Sequence, residues 1–445
     1  MAFDTLIMKA VTGELRSEFT GSPVQKIYEN VQGDIILHLY SHGRQPGLLI
    51  SVSPQYARIH MTYSRFSHKN QPSPFCMLLR KYLIGGRAET FSNPSLERIL
   101  EIAFDPPYGM PAVKLIAEIM DRRSNLILVD EKETILGAAK TVSWDKNPKR
   151  AILPGEIYRP VPPQNKLNPL EMNRDRFSAF FRYYLQEGTP PEKALLSTVK
   201  GLSPLTAREV LYRSGWEHHN PPDSADEKLF KAVKNLFTEA EAGRFEPVLL
   251  PERKLYAAVA LNHLPADEQV NYESISEMLD HFYGQLIREE QEKQLKGQLK
   301  NIIKKRLKKL ANKKKQQEKE LEASKKAPRH RLYGELLLAY SHEVFRGADR
   351  VVLSNFYDPE GNNVEIPLNP AQTASENAQH HFSRYQKAKK GRQKIRKQLN
   401  KTKAEIEYCQ NLLYSLENSD YSSLEEVKQE MIEAGYLREK AKDKG

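Results

Sequence analysis

Two runs of lysine and arginine are the strongest chemical signal in the chain. Between Arg288 and Arg331, 17 Lys/Arg stand against 6 Asp/Glu, an excess that equals the net charge of the whole protein, +11. The rest of the chain is therefore close to neutral. A second run, Arg384 to Lys403, holds ten basic residues and no acid. An ordinary helical hairpin mixes Glu with Lys so that positions flanking its seam pair across it, whereas these faces would repel each other unless a polyanion lay against them. A plain solvated face is the alternative. The candidates for phosphate contact are Lys304, Lys305, Arg306, Lys308, Lys309, Lys313 and Lys314 in the first run, with Lys387, Lys389 and Lys390 in the second.

Three smaller constellations carry chemistry of their own. In LERILEIAFD, Glu97 and Arg98 follow the turn SNPSL at the start of a strand, where such a pair can meet a ligand or face solvent; the residues alone favour solvent. Arg122 and Arg123 in DRRSN form a second small basic set. In GLSPLTAREV, Gly201 and Ser203 sit where a tight turn would deliver free N–H groups and the positive end of a helix at Pro204 to Ala207, a fit for phosphate. An ordinary pair of antiparallel helices reads equally well. No phosphate-cradling loop, dinucleotide fingerprint, nucleophile elbow or zinc-protease helix is present. His218 with His219, and His380 with His381, are adjacent and lack spaced acidic or cysteine ligands, so surface histidines are expected and no metal. No cofactor and no catalytic residue is indicated.

These groups need elements to hold them. The apolar residues Ile395, Leu399, Thr402, Ile406, Cys409, Leu413 and Leu416 alternate by 4 and 3, and Leu295, Leu299, Ile303, Leu307, Leu310 and Leu321 offer the facing stripe. The pattern predicts a long antiparallel coiled-coil arm. Its insert contains a small helix, RLYGELLLAYSHEV, and a hairpin, VVLSNFYDPEGNNVEIPL; this tip reads as a surface probe or as a cap on the coil. Upstream, residues 3 to 20 form an amphipathic helix. VQKIYEN, IILHLY, LLISVS and ARIHMTY form an antiparallel meander, FCMLLRKYL a helix with Pro74 near its first turn and stopped by Gly85 and Gly86, and RAETF, ERILEIAF, VKLIAEIM and NLILVD further strands. The connector YRPVPPQNKLNP closes this domain. Residues 170 to 245 read as helical, and EPVLL with KLYAAVALNHL as one or two added strands. The division is thus 1–168, 169–268, 269–325 and 371–445 for the two arm helices and the tail, and 326–370 for the module between them.

At 445 residues and 39% hydrophobic content the chain holds several domains with real cores. Its two cysteines, Cys76 and Cys409, fall in different domains, so neither a disulfide nor a cysteine-based metal site is expected. The N-terminus has no export signal and no apolar run approaches a membrane span, which predicts a cytoplasmic protein without a membrane partner.

EFTGSPVQKIYE, LLISVSPQYARIHMT, PSPFCMLLRKYLIGG, LERI, AEIMDRRSNLILVD, RAILPGEIYRPVPP, GLSPLTAREV and LNPAQTASENAQHHFSRYQKAKK occur in this order and resemble the NFACT family. That family includes ribosome quality control factors and proteins called fibronectin-binding. The resemblance implies an α+β NFACT-N domain similar to the N-terminal domain of formamidopyrimidine-DNA glycosylases, a helix-hairpin-helix domain, and a coiled-coil arm split by a middle module. It implies binding to obstructed 50S subunits through 23S rRNA, and recruitment of tRNA(Ala) for alanine tailing. Arg98 and its acidic neighbour would contact tRNA, Glu97 standing where the family usually has Asp. The family normally continues into an NFACT-R domain, and this chain stops at EKAKDKG. Ala2 and Phe3 replace the proline and glutamate a glycosylase needs, so glycosylase chemistry is disfavoured. Fibronectin is the alternative partner.

Overall fold

The computed structural model describes residues 3–41, 43, 45–107, 109–216, 225–418 and 421–438. His218 and His219 lie outside the described residues. The chain divides into two units, Met1–Ile287 and Arg288–Gly445.

In the first unit, Asp4 caps helix α1 (Thr5–Phe19) by accepting from the amide of Ile7 at 3.0 Å. Leu6, Ile7, Ala10, Val11, Leu15 and Phe19 are buried, as their helical spacing predicts. The meander forms as four antiparallel strands in sequence order, β1 (Val24–Glu29), β2 (Ile35–Leu39), β3 (Gly47–Ser51) and β4 (Arg58–Thr62). Helix α2 (Pro74–Leu83) starts with Ser73 as N-cap and Pro74 in its first turn. It ends before Gly85, whose φ of +86° suits glycine. A second sheet follows, again in sequence order: β5 (Arg87–Ser92), β6 (Ile99–Asp105), β7 (Val113–Glu118), β8 (Asn125–Asp130) and β9 (Ile135–Ala138). β9 carries no strong sequence signal because Gly137 interrupts it; a Cβ there would lie 2.5 Å from Leu78 Cδ2, so the glycine admits α2.

β6 has a core on each face. Leu100, Ile102 and Phe104 join the main core with α1 and α2, while Ile99 joins Ile116, Ile127, Ile152 and Tyr158 in a second cluster. Helices α3 (Arg174–Gln186), α4 (Pro191–Thr198), α5 (Pro204–Ser214) and α6 (Ala225–Glu241) come next. A small sheet, β10 (Val248–Leu250), β11 (Leu255–Ala257) and β12 (Val270–Asn271), exceeds the one or two strands expected there. No helix among the described residues is long and apolar enough to cross a membrane.

Helix α7 (Ile275–Ser324) begins in the first unit and runs on into the second. Its 50 residues correspond to about 75 Å at 1.5 Å each. α8 (Ala327–Ala339), the hairpin β13 (Arg350–Ser354) and β14 (Asn363–Pro367), α9 (Ala374–Asn418) and α10 (Tyr421–Glu433) complete the second unit. α7 and α9 run antiparallel: Lys300 Nζ meets Glu417 at 2.6 Å, and farther along α7 Arg306 Nε donates to Glu405 at 3.0 Å. Leu299, Ile303 and Leu310 pack in one cluster with Cys409, Leu412 and Leu416. Leu412 is more deeply buried than the expected Leu413 because α10 adds Leu424, Val427 and Met431 to the seam and turns the contact stripe toward itself. A third helix in the seam breaks the two-stranded 4,3 register.

A polar pocket inside the first unit gives a pH prediction. His60 is buried beside Arg58, whose Nε donates to His60 Nε2 at 3.3 Å. Burial first, and the Arg58 charge second, push the imidazole pKa down to about 3. The folded pKa lies below the unfolded one, so the unfolded chain gains a proton first as pH falls through about 6.5. Stability is therefore fully present above that value and is lost as pH drops toward 3. Between pH 7.5 and 5 the loss from this group is about 2 kcal/mol. Urea unfolding of the chain at the two pH values, compared with His60→Gln, checks it: equal pH dependence in both proteins would remove His60 as the cause.

Candidate nucleic-acid interface

The residues before β6 do not continue the strand. Pro94–Leu96 form a single 3-10 turn, and Glu97 and Arg98 occupy the two positions between that turn and Ile99. Their side chains are thus set by the turn, not by the alternation of a strand that would have begun at Glu97. Asn93 Nδ2 donates to the carbonyls of Glu97 and Ile99, both at 2.6 Å, and Arg98 O accepts from Ile119 at 2.9 Å. Leu96 has φ +51° and Asp121 φ +50°, two non-glycine residues in the left-handed region on either side of Arg98. Strain of this kind, of order 1–3 kcal/mol per residue, persists where surrounding contacts fix it, and it is concentrated at binding sites.

Glu97 and Arg98 open onto a cavity of about 360 Å³. Its other walls come from the Asp121–Arg123 turn, the Pro-rich connector through Gln164 and Lys166, and the turn Lys200–Pro204 between α4 and α5. With Asp4 and Thr5 at the start of α1, five segments far apart in sequence therefore converge there. Of the predicted residues, Glu97, Arg98, Arg123, Gly201 and Ser203 line it; Arg122 is exposed on the same turn and does not. Leu167 holds the connector against the helix pair, donating to Thr198 O at 2.8 Å and accepting from Lys200 N at 2.9 Å.

The charges inside are partly matched. Glu97 Oε1 is 2.8 Å from Lys200 Nζ, and Arg98 Nη1 stands 3.6 Å from Asp121 Oδ2, too long for a hydrogen bond. Arg123 and Lys166 have no carboxylate within ion-pair distance among the described residues, which leaves two cations for an incoming anion. Burial holds the Lys166 ammonium below its ordinary pKa, and Glu97 opposes that shift. Asp4, also in the wall, has its pKa raised by burial, against hydrogen bonds from Ile7 and Ser203 and the charge of Arg98. No local motif in the sequence marks Asp4, Asp121, Lys166 or Lys200 as a site residue. Only the position of Lys200 beside Gly201 offered a signal.

The turn before α5 differs from the expected anion cradle. The Ser203 hydroxyl accepts from Thr206 N at 3.3 Å while Ser203 N donates to Thr206 Oγ1 at 2.8 Å, a capping box that uses up two of the amides a phosphate would need. Gly201 is required for its φ of +83°, and also because a Cβ would sit 3.1 Å from the Phe237 ring. Its role is therefore to bring Lys200 and the helix pair close to α1 and α6.

In the second unit, Lys304, Lys305, Lys308, Lys309, Lys313, Lys387, Lys389 and Lys390 are exposed, and Lys314 is half-buried with Glu318 at 3.9 Å. Arg306 belongs elsewhere. Its guanidinium pairs with Glu405 of α9 and lies 5.5 Å from the Tyr436 ring centroid, so it fastens the seam instead of standing free. Among the described residues no three His, Cys, Asp or Glu side chains converge to hold a metal ion.

An α+β unit with a cation-bearing cavity, and a helical unit with an exposed basic face, define a protein suited to polyanions. Residues 4–445 match the family described as NFACT N-terminal and middle domains, and the chain belongs to that family. It is 35% identical over 446 residues to the Rqc2 homolog RqcH of Bacillus subtilis, covering 99% of this chain and 76% of that one. To the Rqc2 homolog RqcH of Streptococcus suis it is 32% identical over 448 residues, covering 100% and 77%. Among solved structures, the fibrinogen binding protein from Staphylococcus aureus is similar with a TM-score of 0.54 and 26% identity, over 64% of this chain and 99% of that one. The N-terminal part of the fibronectin/fibrinogen-binding protein from Streptococcus suis gives 0.53 and 30%, over 64% and 100%.

Proposed function

We propose that this protein is a ribosome-associated quality control factor. It binds obstructed 50S subunits carrying peptidyl-tRNA, with the exposed lysines of α7 and α9 against 23S rRNA. It recruits tRNA(Ala) through the cavity around Arg98, so that stalled nascent chains acquire C-terminal alanine, the bond-forming chemistry being supplied by the ribosome. The observation that carries this reading is the unbalanced basic run of α7: between Lys304 and Lys315 there is no acidic residue, and every lysine from 304 to 313 is exposed. Similarity to the two RqcH proteins supports it.

The test is co-sedimentation of the purified chain with 50S particles over a range of salt. Neutralised phosphates release counterions, so binding should fall by about 10³-fold or more between 50 and 200 mM salt if six or more phosphates are contacted. Binding that ignores salt would overturn the assignment to rRNA phosphates. A second reading, a fibronectin-binding surface protein, is favoured by the name of the Streptococcus suis structural relative. Fractionation separates the two: recovery with ribosomal particles supports the first, recovery on intact cells the second.

A further inference from the structure

The four-stranded sheet turns one face to the core; the other carries a groove that the cavity around Arg98 does not use. β1 supplies Lys26 and Tyr28, β2 supplies His38, and the segment after β4 supplies Tyr63, Arg65 and His68. The groove has a volume of about 460 Å³, within the range of roughly 300–1,000 Å³ usual for small-ligand sites. No carboxylate lines it among the described residues.

Its aromatic side is already ordered. The Tyr28 and His68 rings stack with centroids 4.0 Å apart and planes 18° from parallel, and His38 meets Tyr28 edge-on at 5.5 Å. His68 is exposed, so the stack ends in a ring open to solvent. The backbone fixes it there: Asn30 and His68 form an isolated bridge, and Lys69 N donates to Glu29 O at 2.9 Å. The opposite wall is held as firmly, since Asp280 accepts from Thr62 Oγ1 at 2.8 Å and from Ser64 Oγ at 2.9 Å. Between the walls lie Ile36 and His38, packed against Gly47 of β3, where a Cβ would stand 2.9 Å from Ile36 Cγ2 and 3.6 Å from His38 Cε1. Burial, with His68 and Lys26 nearby, holds His38 below the ordinary imidazole pKa. One ring nitrogen is engaged by the Gln45 backbone, which leaves the other for a hydrogen bond. Tyr63 is 61% exposed and has no aromatic neighbour within stacking range among the described residues.

A flat platform of rings, a hydrogen-bonding imidazole and two rim cations without acids is the chemistry that receives a planar base and its phosphate. We infer that this groove binds an unpaired nucleotide of a single-stranded RNA segment, its base on the Tyr28–His68 stack or against Tyr63 and its phosphate at Lys26 and Arg65. The inference rests on the reading of this protein as an RNA binder, but on neither tRNA nor rRNA as the RNA.

The test uses the full chain and ten-nucleotide oligouridylate carrying 4-thiouridine, at about 0.3 M salt so that charge-only binding to the lysine runs is suppressed. Photocrosslinks should map to residues 26–28 or 63–68, and the exposed double variant Tyr63→Ala/Arg65→Glu should weaken binding about 10-fold or more at unchanged melting temperature. A base-paired hairpin of equal length should bind more weakly than the single strand. Crosslinks confined to other regions, or wild-type affinity in the double variant, would overturn the inference. Adenosine monophosphate competing as strongly as the oligonucleotide would assign the groove to a free nucleotide and overturn the strand reading. The Arg98→Ala variant should leave the crosslinks in place, so a failure of the tRNA assignment and a failure of this one give different results.

Discussion

Replacing Arg98 with alanine is expected to weaken tRNA binding about 10- to 100-fold while leaving 50S association at its wild-type level. The magnitude follows from the cost of about 1–3 kcal/mol for losing a forked guanidinium contact to nucleic acid. Arg98 suits that contact because its tie is loose: at 3.6 Å from Asp121 it forms no hydrogen bond there, and Asp121 is itself largely exposed. A phosphate or base edge can take the guanidinium without breaking a buried pair. Glu97 is bound more tightly, at 2.8 Å to Lys200. Glu97→Asp would draw the carboxylate back by one methylene and free Lys200 for the ligand, so tRNA binding should be kept. The measurement is the amount and identity of tRNA that co-purifies with each variant. Wild-type tRNA yield from Arg98→Ala would remove the cavity from the tRNA assignment, and Arg123, unpaired in the same wall, would be the next residue to test.

The difference between what was legible in the sequence and what was not is mostly one of distance along the chain. Strands β1 to β8 and helices α1 and α2 were readable because each is bounded by its own turn residues and carries its own alternation, β-rich apolar run or helical period, as with Ser73 and Pro74 at the start of α2 and Gly85 beyond its end. β9 was not, because its glycine serves a contact with Leu78 rather than a strand. At the cavity, Glu97, Arg98, Gly201 and Ser203 drew attention locally, but nothing in the order of residues joins Glu97 to Lys200 or Arg98 to Asp121. Those pairings depend on a loop, a connector and a helix pair meeting in three dimensions. The same limit explains Arg306. In sequence it is one cation among eight between Lys304 and Lys315; in the fold it faces Glu405, the first acid after the second basic run.

Reversing Lys305, Lys308, Lys309 and Lys313 to glutamate together should abolish detectable 50S association at 0.1 M salt, a loss of at least about 100-fold. It should also lower the slope of log affinity against log salt by about 3, since each phosphate contact contributes roughly 0.7 to 0.9 to that slope. All four side chains are exposed and none has an ion-pair partner among the described residues, so the helices have no reason to come apart. Lys305 and Lys309, and Lys309 and Lys313, are like charges four residues apart, which repel by a few tenths of a kcal/mol. In the reversed set glutamate–glutamate repulsion of similar size takes its place. Arg306→Ala provides the contrast. Its removal leaves Glu405 with the 3.5 Å hydrogen bond from Tyr436 Oη in place of an ion pair and strips a cation from the Tyr436 ring, so it should lower the melting temperature of the helical unit more than it lowers the salt slope. If instead Arg306→Ala costs affinity without stability, or the fourfold reversal still sediments with 50S particles, the exposed face of α7 is not the surface that meets the ribosome.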